Sequence, residues 1–295
     1  MPRTPLSVWI DAARPKTLWA AFAPVLIGTA MAYADEAFHA WSALGALVGA
    51  FLIQIGTNFW NDYADFKRGA DTETRTGPVR ATQAGLILPE HMKWASVVVF
   101  GLALFIALAL VMRAGWPFLV IGLVSVLFGY LYTGGPLPLG YIGLGDALVL
   151  IFFGPVAVGG TYYVQALEIS SPVLIAGLAP GFLSVAILTV NNLRDMRGDE
   201  KAGKRTLAVR FGQTFARREY VFCMLAGIGT SVVLFYMDRA EHPYVLLAVL
   251  TLPIGRTAII NVCTSNAPSV LNAMLGRTAK LLLLYSILFS IGWNI

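Results

Sequence analysis

Charge is what this chain has least of. Of its 295 residues only 13% are Asp, Glu, Lys or Arg, while 57% are hydrophobic, and the mean hydropathy is +0.71. A soluble domain carries about 25% charged residues, so this composition excludes one and points to an integral membrane protein. Histidine and cysteine are scarce as well, three and two residues. No Cys/His cluster offers zinc ligands, and Cys223 and Cys263, both in apolar surroundings, read as buried thiols rather than a disulfide. The polar stretch Met1 to Lys16 has no cleavable apolar core, so no signal peptide is expected. Ten-residue alternating segments are missing too, which argues against a β-barrel. The net charge of +5 is gathered in a few loops and implies no nucleic-acid partner.

Long apolar runs fill the rest. A spanning helix needs about 20 apolar residues. Nine segments qualify: 17–34, 40–60, 92–112, 116–133, 142–165, 172–193, 218–237, 243–262 and 279–294. The fourth is short and loosened at its end by Gly134, Gly135 and Pro136; the eighth is interrupted by Pro253 and carries Arg256. Of the 21 basic residues only Arg113 and Arg239 fall on one side. The other side takes Arg3, Arg14, Lys16, the loops after the second and sixth helices, Arg277 and Lys280. The positive-inside rule then predicts a cytoplasmic N-terminus and an outside C-terminus. The fold class expected is an all-α polytopic membrane protein, nine transmembrane helices around a central cavity, treated as a single domain over 1–295. Residues 61–91 and 194–217 are its motif loops, on the cytoplasmic side.

Those two loops hold most of the charge. The first begins Asn61-Asp62-Tyr63-Ala64-Asp65-Phe66-Lys67-Arg68 and runs on through Asp71, Glu73, Arg75, Pro78 and Arg80. The second begins Asn191-Asn192-Leu193-Arg194-Asp195 and runs through Asp199 to Lys204, Arg205 and Arg210. The shared Asn-x-x-x-Asp recurs 130 positions later. Four helices separate the copies, and an even number keeps both on one membrane face. That makes helices 1–4 and 5–8 a parallel repeat, with the ninth as a closing element.

Positions i and i+4 share a helix face, so Asn61 pairs with Asp65, and Asn191, Asp195 and Asp199 form a ladder. Oxygen ligands without Cys or His suit Mg²⁺, which is held by one or two carboxylates together with water and substrate phosphates. Asn61, Asp65, Asp195 and Asp199 are the expected metal and catalytic residues, with Asp62 and Asp71 as further candidates. Lys67, Arg68, Arg75, Arg80, Arg194, Lys204 and Arg205 are candidates to meet the remaining oxygens of a diphosphate. One such loop alone reads as solvated, mutually paired charge. A second copy at a second helix end favours a divided site. Intramembrane acids and repeats also mark transporters, but here the helix middles hold almost no acids.

The chain resembles the UbiA superfamily of intramembrane aromatic prenyltransferases, and within it the MenA-type 1,4-dihydroxy-2-naphthoate branch. The resemblance starts at Ala13-Arg14-Pro15-Lys16-Thr17-Leu18 and runs through both acidic motifs. It also takes in Tyr132-Thr133-Gly134-Gly135-Pro136, Gly143-Leu144-Gly145-Asp146 and Gly203-Lys204-Arg205-Thr206-Leu207-Ala208-Val209-Arg210. It implies Mg²⁺-dependent transfer of a polyprenyl group from polyprenyl diphosphate to the naphthoate with loss of CO₂, in menaquinone or phylloquinone synthesis, in the cytoplasmic membrane of a prokaryote. Other acceptors used with the same machinery are 4-hydroxybenzoate, homogentisate and chlorophyllide. Gly69 stands where the hydroxybenzoate branch has a second aspartate, which weakens that alternative. A lysine that some relatives offer between helices 4 and 5 is missing, since none lies between Lys93 and Lys201; Tyr130, Tyr132, Tyr141 or the basic loops would take its contacts. The substrate pocket is expected to include Tyr63, Tyr130, Tyr132, Asn191, Asn192 and Arg14, with the tyrosines facing an allylic cation. Asp146 reads either as a charge complementing a helix N-terminus or as a pocket residue. Chain length of the prenyl group and oligomeric state are not legible.

Overall fold

The computed structural model describes residues 5–70, 77, 79–237 and 241–295. Asp71 and Arg75, and with them Arg3, Glu73, Pro78 and Arg239, lie outside the described residues. Among those described there is no strand. A short helix α1 (Pro5–Ala13) leads into α2 (Pro15–Ala34), α3 (Ala40–Lys67), α4 (Pro89–Ala114) and α5 (Trp116–Leu131). Then follow α6 (Gly145–Ala166), α7 (Ser171–Lys201), α8 (Leu207–Met237), α9 (Pro243–Thr264) and α10 (Pro268–Asn294). Eight of these are long and apolar enough to cross a membrane. The exception among the nine expected crossings is α5, whose 16 residues span about 24 Å at ~1.5 Å per residue.

The chain punctuates its helices as their sequences require. Prolines open α2, α4, α5 and α7 in their first turns, where the missing N–H costs nothing. Gly115, at φ 72°, separates α4 from α5. Inside α6 a π-helical turn at Phe152–Val156 surrounds Pro155. There α6 crosses α7 backbone to backbone: a Cβ on Gly154 would stand 2.8 Å from the Gly177 carbonyl oxygen. Small residues at such a crossing let two membrane helices approach closely.

The expected helices are present, but four run longer than their apolar stretches. Helix α3 continues to Lys67 and α7 to Lys201, so residues 61–67 and 194–201 are helical rather than loop. Helix α8 begins at Leu207, eleven residues before the expected start, and breaks its φ/ψ only at Gly212. Helix α10 begins at Pro268, also eleven residues early. Hydrophobicity marks where a helix sits in lipid, not where its hydrogen bonding stops. The α1 helix escaped the hydropathy reading altogether. It is a surface helix whose Val8 and Ala12, four apart, pack on Phe59, Ala81, Ile87 and Met92.

The main core joins α2, α6, α7, α8, α9 and α10, with Tyr162, Tyr220, Tyr285 and Phe289 almost fully enclosed. Helix α10 packs on α2, α7 and α9, closing the bundle as the leftover last helix was expected to.

Candidate active site

One cavity of about 950 Å³ occupies the middle of the bundle. Its apolar walls include Phe118, Phe128, Phe152 and Phe153, and one end carries the charged residues of both motifs. Asn61 and Asp65 from α3 line it, as do Asn191, Asn192, Asp195 and Asp199 from α7. Both i, i+4 sets therefore turn the predicted faces inward, and the two copies open on the same space.

Asp65 is the more enclosed of the two central acids, 1% exposed. Its Oδ2 accepts from Arg80 Nη2 and from Lys204 Nζ, each at 3.2 Å. Its Oδ1 accepts from the Tyr141 hydroxyl at 2.7 Å. Three distant segments thus meet on one carboxylate. The reason Arg80 arrives there is Asp62, whose two oxygens accept the backbone N–H groups of Ala81 and Thr82 at 3.1 Å each. Asp62, a further metal candidate, also lines the cavity, and its bonds to the two backbone amides anchor the returning loop to α3. Asn61 Oδ1 accepts from the Thr133 hydroxyl at 2.7 Å, fixing the turn after α5.

At the second motif Arg194 grips its neighbour. Its Nε donates to Asp195 Oδ1 at 2.8 Å and its Nη2 to Oδ2 at 2.5 Å, a bidentate pair. Nη2 also donates to Asn191 Oδ1 at 2.8 Å, and Nη1 to Asn272 Oδ1 of α10 at 2.6 Å. Arg194 was expected to bind diphosphate. The structure commits its guanidinium to the protein, where it orients Asp195.

The tyrosines and basic residues sort cleanly. Tyr132 lines the cavity; burial first, then the charges of Asp146, Asp65 and Asp199, hold its phenol well above the usual tyrosine range. It stays a neutral O–H donor. Tyr63 and Tyr130 are not on the cavity wall; they pack tilted against Trp60 at centroid distances of 5.3 and 4.8 Å. Lys67 lies over the Tyr63 ring, and Arg68 donates to the Gly135 carbonyl while lying over Tyr141. Arg205 is exposed, and its backbone N–H donates to the Tyr141 carbonyl. None of Lys67, Arg68 and Arg205 lines the cavity, whereas Arg14, Arg80, Arg194 and Lys204 do.

Two contributors were not singled out from sequence. Tyr141, named only as one possible substitute for the missing lysine, holds Asp65 and lies under the Lys204 ammonium, 4.7 Å from its ring centroid. Asn272 was missed because its helix was begun too late; a polar residue about two turns before the expected start of a membrane helix was the available signal. Asp146 satisfies both of its readings, since it sits in the first turn of α6 and lines the cavity.

Does this donor set fit a divalent metal? Among the described residues no three His, Cys, Asp or Glu side chains cluster as a ready-made metal site. The oxygens of Asn61, Asp65, Asp195 and Asp199 nonetheless border one space, the sparse hard-ligand arrangement that suits Mg²⁺ held jointly with phosphate. The basic partners now on Asp65 stand where phosphate oxygens would arrive.

An all-helical membrane bundle with two acid–base clusters on one end of an apolar cavity defines a class: an intramembrane site for an anionic head on a long apolar tail. The UbiA prenyltransferase family matches residues 21–290, and the chain belongs to that family. The chain is 39% identical to the 1,4-dihydroxy-2-naphthoate octaprenyltransferase of Escherichia coli (strain K12), covering 96% of this chain and 94% of that protein. It is 36% identical to the enzyme of the same name from Haemophilus influenzae, with 97% and 96% coverage. A UbiA homolog from Archaeoglobus fulgidus, solved bound to DMAPP and Mg²⁺, shares the fold at a TM-score of 0.67. It is 17% identical, over 96% of this chain and 99% of that one.

Proposed function

We propose that this protein transfers the polyprenyl group of a polyprenyl diphosphate to 1,4-dihydroxy-2-naphthoate, with loss of CO₂, in menaquinone or phylloquinone synthesis. The convergence of both acid–base motifs on one end of a single apolar cavity carries the reaction class. Near-full-length likeness to relatives bearing the naphthoate octaprenyltransferase name supports the acceptor.

Asn61, Asp65, Asp195 and Asp199 are the residues that would hold Mg²⁺, which would supply positive charge to neutralise the departing diphosphate. Arg80 and Lys204 exchange Asp65 for phosphate oxygens as the substrate enters, because the same charge attracts either partner. Arg75, from the same loop, is a further phosphate ligand. Arg194 keeps Asp195 aimed. The allylic C–O bond breaks with its electron pair going to diphosphate, and the phenylalanine-lined cavity keeps water from the cation. A ring carbon supplies the pair for the new C–C bond, and loss of CO₂ returns a pair to the ring. Arg14 and Lys16 at the cavity edge supply positive charge for the acceptor's carboxylate.

The same reading gives the topology. The N-terminus and both motifs face the cytoplasm, the C-terminus lies outside, and α5 is a short fourth crossing among nine. Membranes containing the protein, given labelled prenyl diphosphate, are expected to label dihydroxynaphthoate only with Mg²⁺ present. Labelling of 4-hydroxybenzoate with none of the naphthoate would refute the acceptor; undiminished transfer in EDTA would refute the metal.

A further inference from the structure

Asp146 has a part in the site that neither motif supplies. It is a carboxylic acid inside the bundle, 7% exposed, on the wall of the cavity. Its Oδ1 has no hydrogen-bond partner in the protein. A buried acceptor without a donor is costly unless a ligand provides one. The χ2 torsion of aspartate is soft and two-fold, so either oxygen of the group can turn to a ligand.

What surrounds the group narrows that ligand. Tyr132 is beside it: a Cβ on Gly145, the residue before, would stand 3.0 Å from the Tyr132 hydroxyl oxygen. The ionisable groups on which its charge bears include Tyr132 and, across on α8, Glu219. Two acids bearing on one another disfavour an anionic ligand at this position. Leu148, Val149 and Phe152 carry the wall onward as hydrocarbon. The position therefore suits a neutral O–H donor attached to an apolar body.

A polyprenyl diphosphate has no such group. Its tail is hydrocarbon and its phosphate oxygens are acceptors, drawn to the basic residues at the motif end. A hydroxylated aromatic ring has one. We propose that Asp146, with the Tyr132 hydroxyl beside it, binds a ring hydroxyl of the aromatic acceptor and so sets which ring carbon faces the prenyl C1. Asp146 accepts the hydroxyl's hydrogen while Tyr132 donates to the same oxygen. Ser184 Oγ on α7, also buried on the cavity wall without a protein hydrogen bond, is available to a second polar group of the same ring.

This assignment rests on the proposed acceptor chemistry, and its test separates the two. Turnover of dihydroxynaphthoate by the wild-type membranes tests the acceptor. The inference is read from KM values of Asp146→Leu and Asp146→Asn for each substrate in turn. Removing a hydroxyl-binding group from a buried site is expected to raise the acceptor KM by about tenfold or more in Asp146→Leu, with the prenyl diphosphate KM within about twofold. Asp146→Asn keeps an acceptor oxygen and is expected to recover much of the loss. The wild-type preference for the dihydroxy acceptor over 1-hydroxy-2-naphthoate or 4-hydroxy-2-naphthoate, whichever lacks the hydroxyl bound, should shrink in Asp146→Leu. A structural role alone would move neither the split between substrates nor that preference. Should Asp146→Leu not accumulate, Asp146→Asn alone decides, with a rise of about threefold in acceptor KM expected. An unchanged acceptor KM, or equal rises for both substrates, overturns the assignment.

Discussion

The two acidic motifs are copies in sequence and opposites in construction. Asp65 is held by three residues from three other parts of the chain: Arg80 from the loop after α3, Tyr141 from the turn before α6, and Lys204 from the loop after α7. Among the described residues Asp195 is held by Arg194 of its own helix, which Asn191 and Asn272 fix in turn. The described contacts of one half come from loops; those of the other come from α7 and α10. Loop partners can leave a carboxylate for an incoming phosphate. A guanidinium with donors committed to four protein oxygens has less freedom to do so. The repeated pattern encodes the acids, while the difference in their partners fits the proposed roles, capture of the substrate at Asp65 and alignment of Asp195 by Arg194.

The largest expected effect tests whether the halves are equal where it matters. Asp65→Asn and Asp195→Asn should each lower kcat for prenyl transfer by about 100-fold or more, since each removes a charge placed to act on the departing diphosphate. The check is product formation in membranes carrying matched amounts of protein. If either variant keeps activity within about tenfold of wild type, the two-part site is wrong.

A smaller pair of effects sharpens the contrast. Lys204→Ala should raise the KM for prenyl diphosphate by about tenfold, because its ammonium is available to the substrate. Arg194→Lys should act differently, since lysine cannot reproduce the bidentate fork. It should lower kcat by about tenfold with little change in that KM, and Asn272→Leu should do the same more weakly. Steady-state kinetics with the prenyl diphosphate varied gives both numbers. An Arg194→Lys phenotype confined to KM would return Arg194 to the substrate-binding group.

Much of this was legible from the chain, and what was missed has physical reasons. Hydropathy located all eight helices that, among the described residues, are long and apolar enough to cross a membrane, because burying apolar area in lipid dominates their placement; α5, the ninth expected, is shorter. It misplaced the ends of α3 and α7, where polar residues continue the same hydrogen-bonded helix past the apolar stretch. The i, i+4 spacing of Asn61 with Asp65, and of Asn191, Asp195 and Asp199, predicted which faces turn inward because helix geometry alone fixes it. Partners were another matter. That Asp62 would cap the backbone at Ala81 and Thr82, or that Asn272 would reach Arg194, depends on contacts between segments far apart in sequence. Spacing carries no record of those. Asp146 fell between two local readings for the same cause: only the packing of α6 against its neighbours puts it on the cavity wall.

The smallest expected effects concern the tyrosines, and they test the cavity wall itself. Tyr63 and Tyr130 pack tilted on Trp60 away from the lining, so Tyr63→Phe and Tyr130→Phe keep their rings and should leave kcat/KM within about twofold of wild type. Tyr132→Phe removes a hydroxyl that borders the cavity and should cost about fivefold or more. The pH dependence separates them further. Burial and three nearby carboxylates disfavour the phenolate of Tyr132, which raises its pKa, so its proton is retained as pH rises past the ordinary tyrosine value of about 10. No alkaline fall in rate below that pH should therefore disappear in Tyr132→Phe. A fall near neutral pH that vanishes in this variant would mean the phenol titrates early, which requires a cation beside it to favour the phenolate in place of the carboxylates that border it.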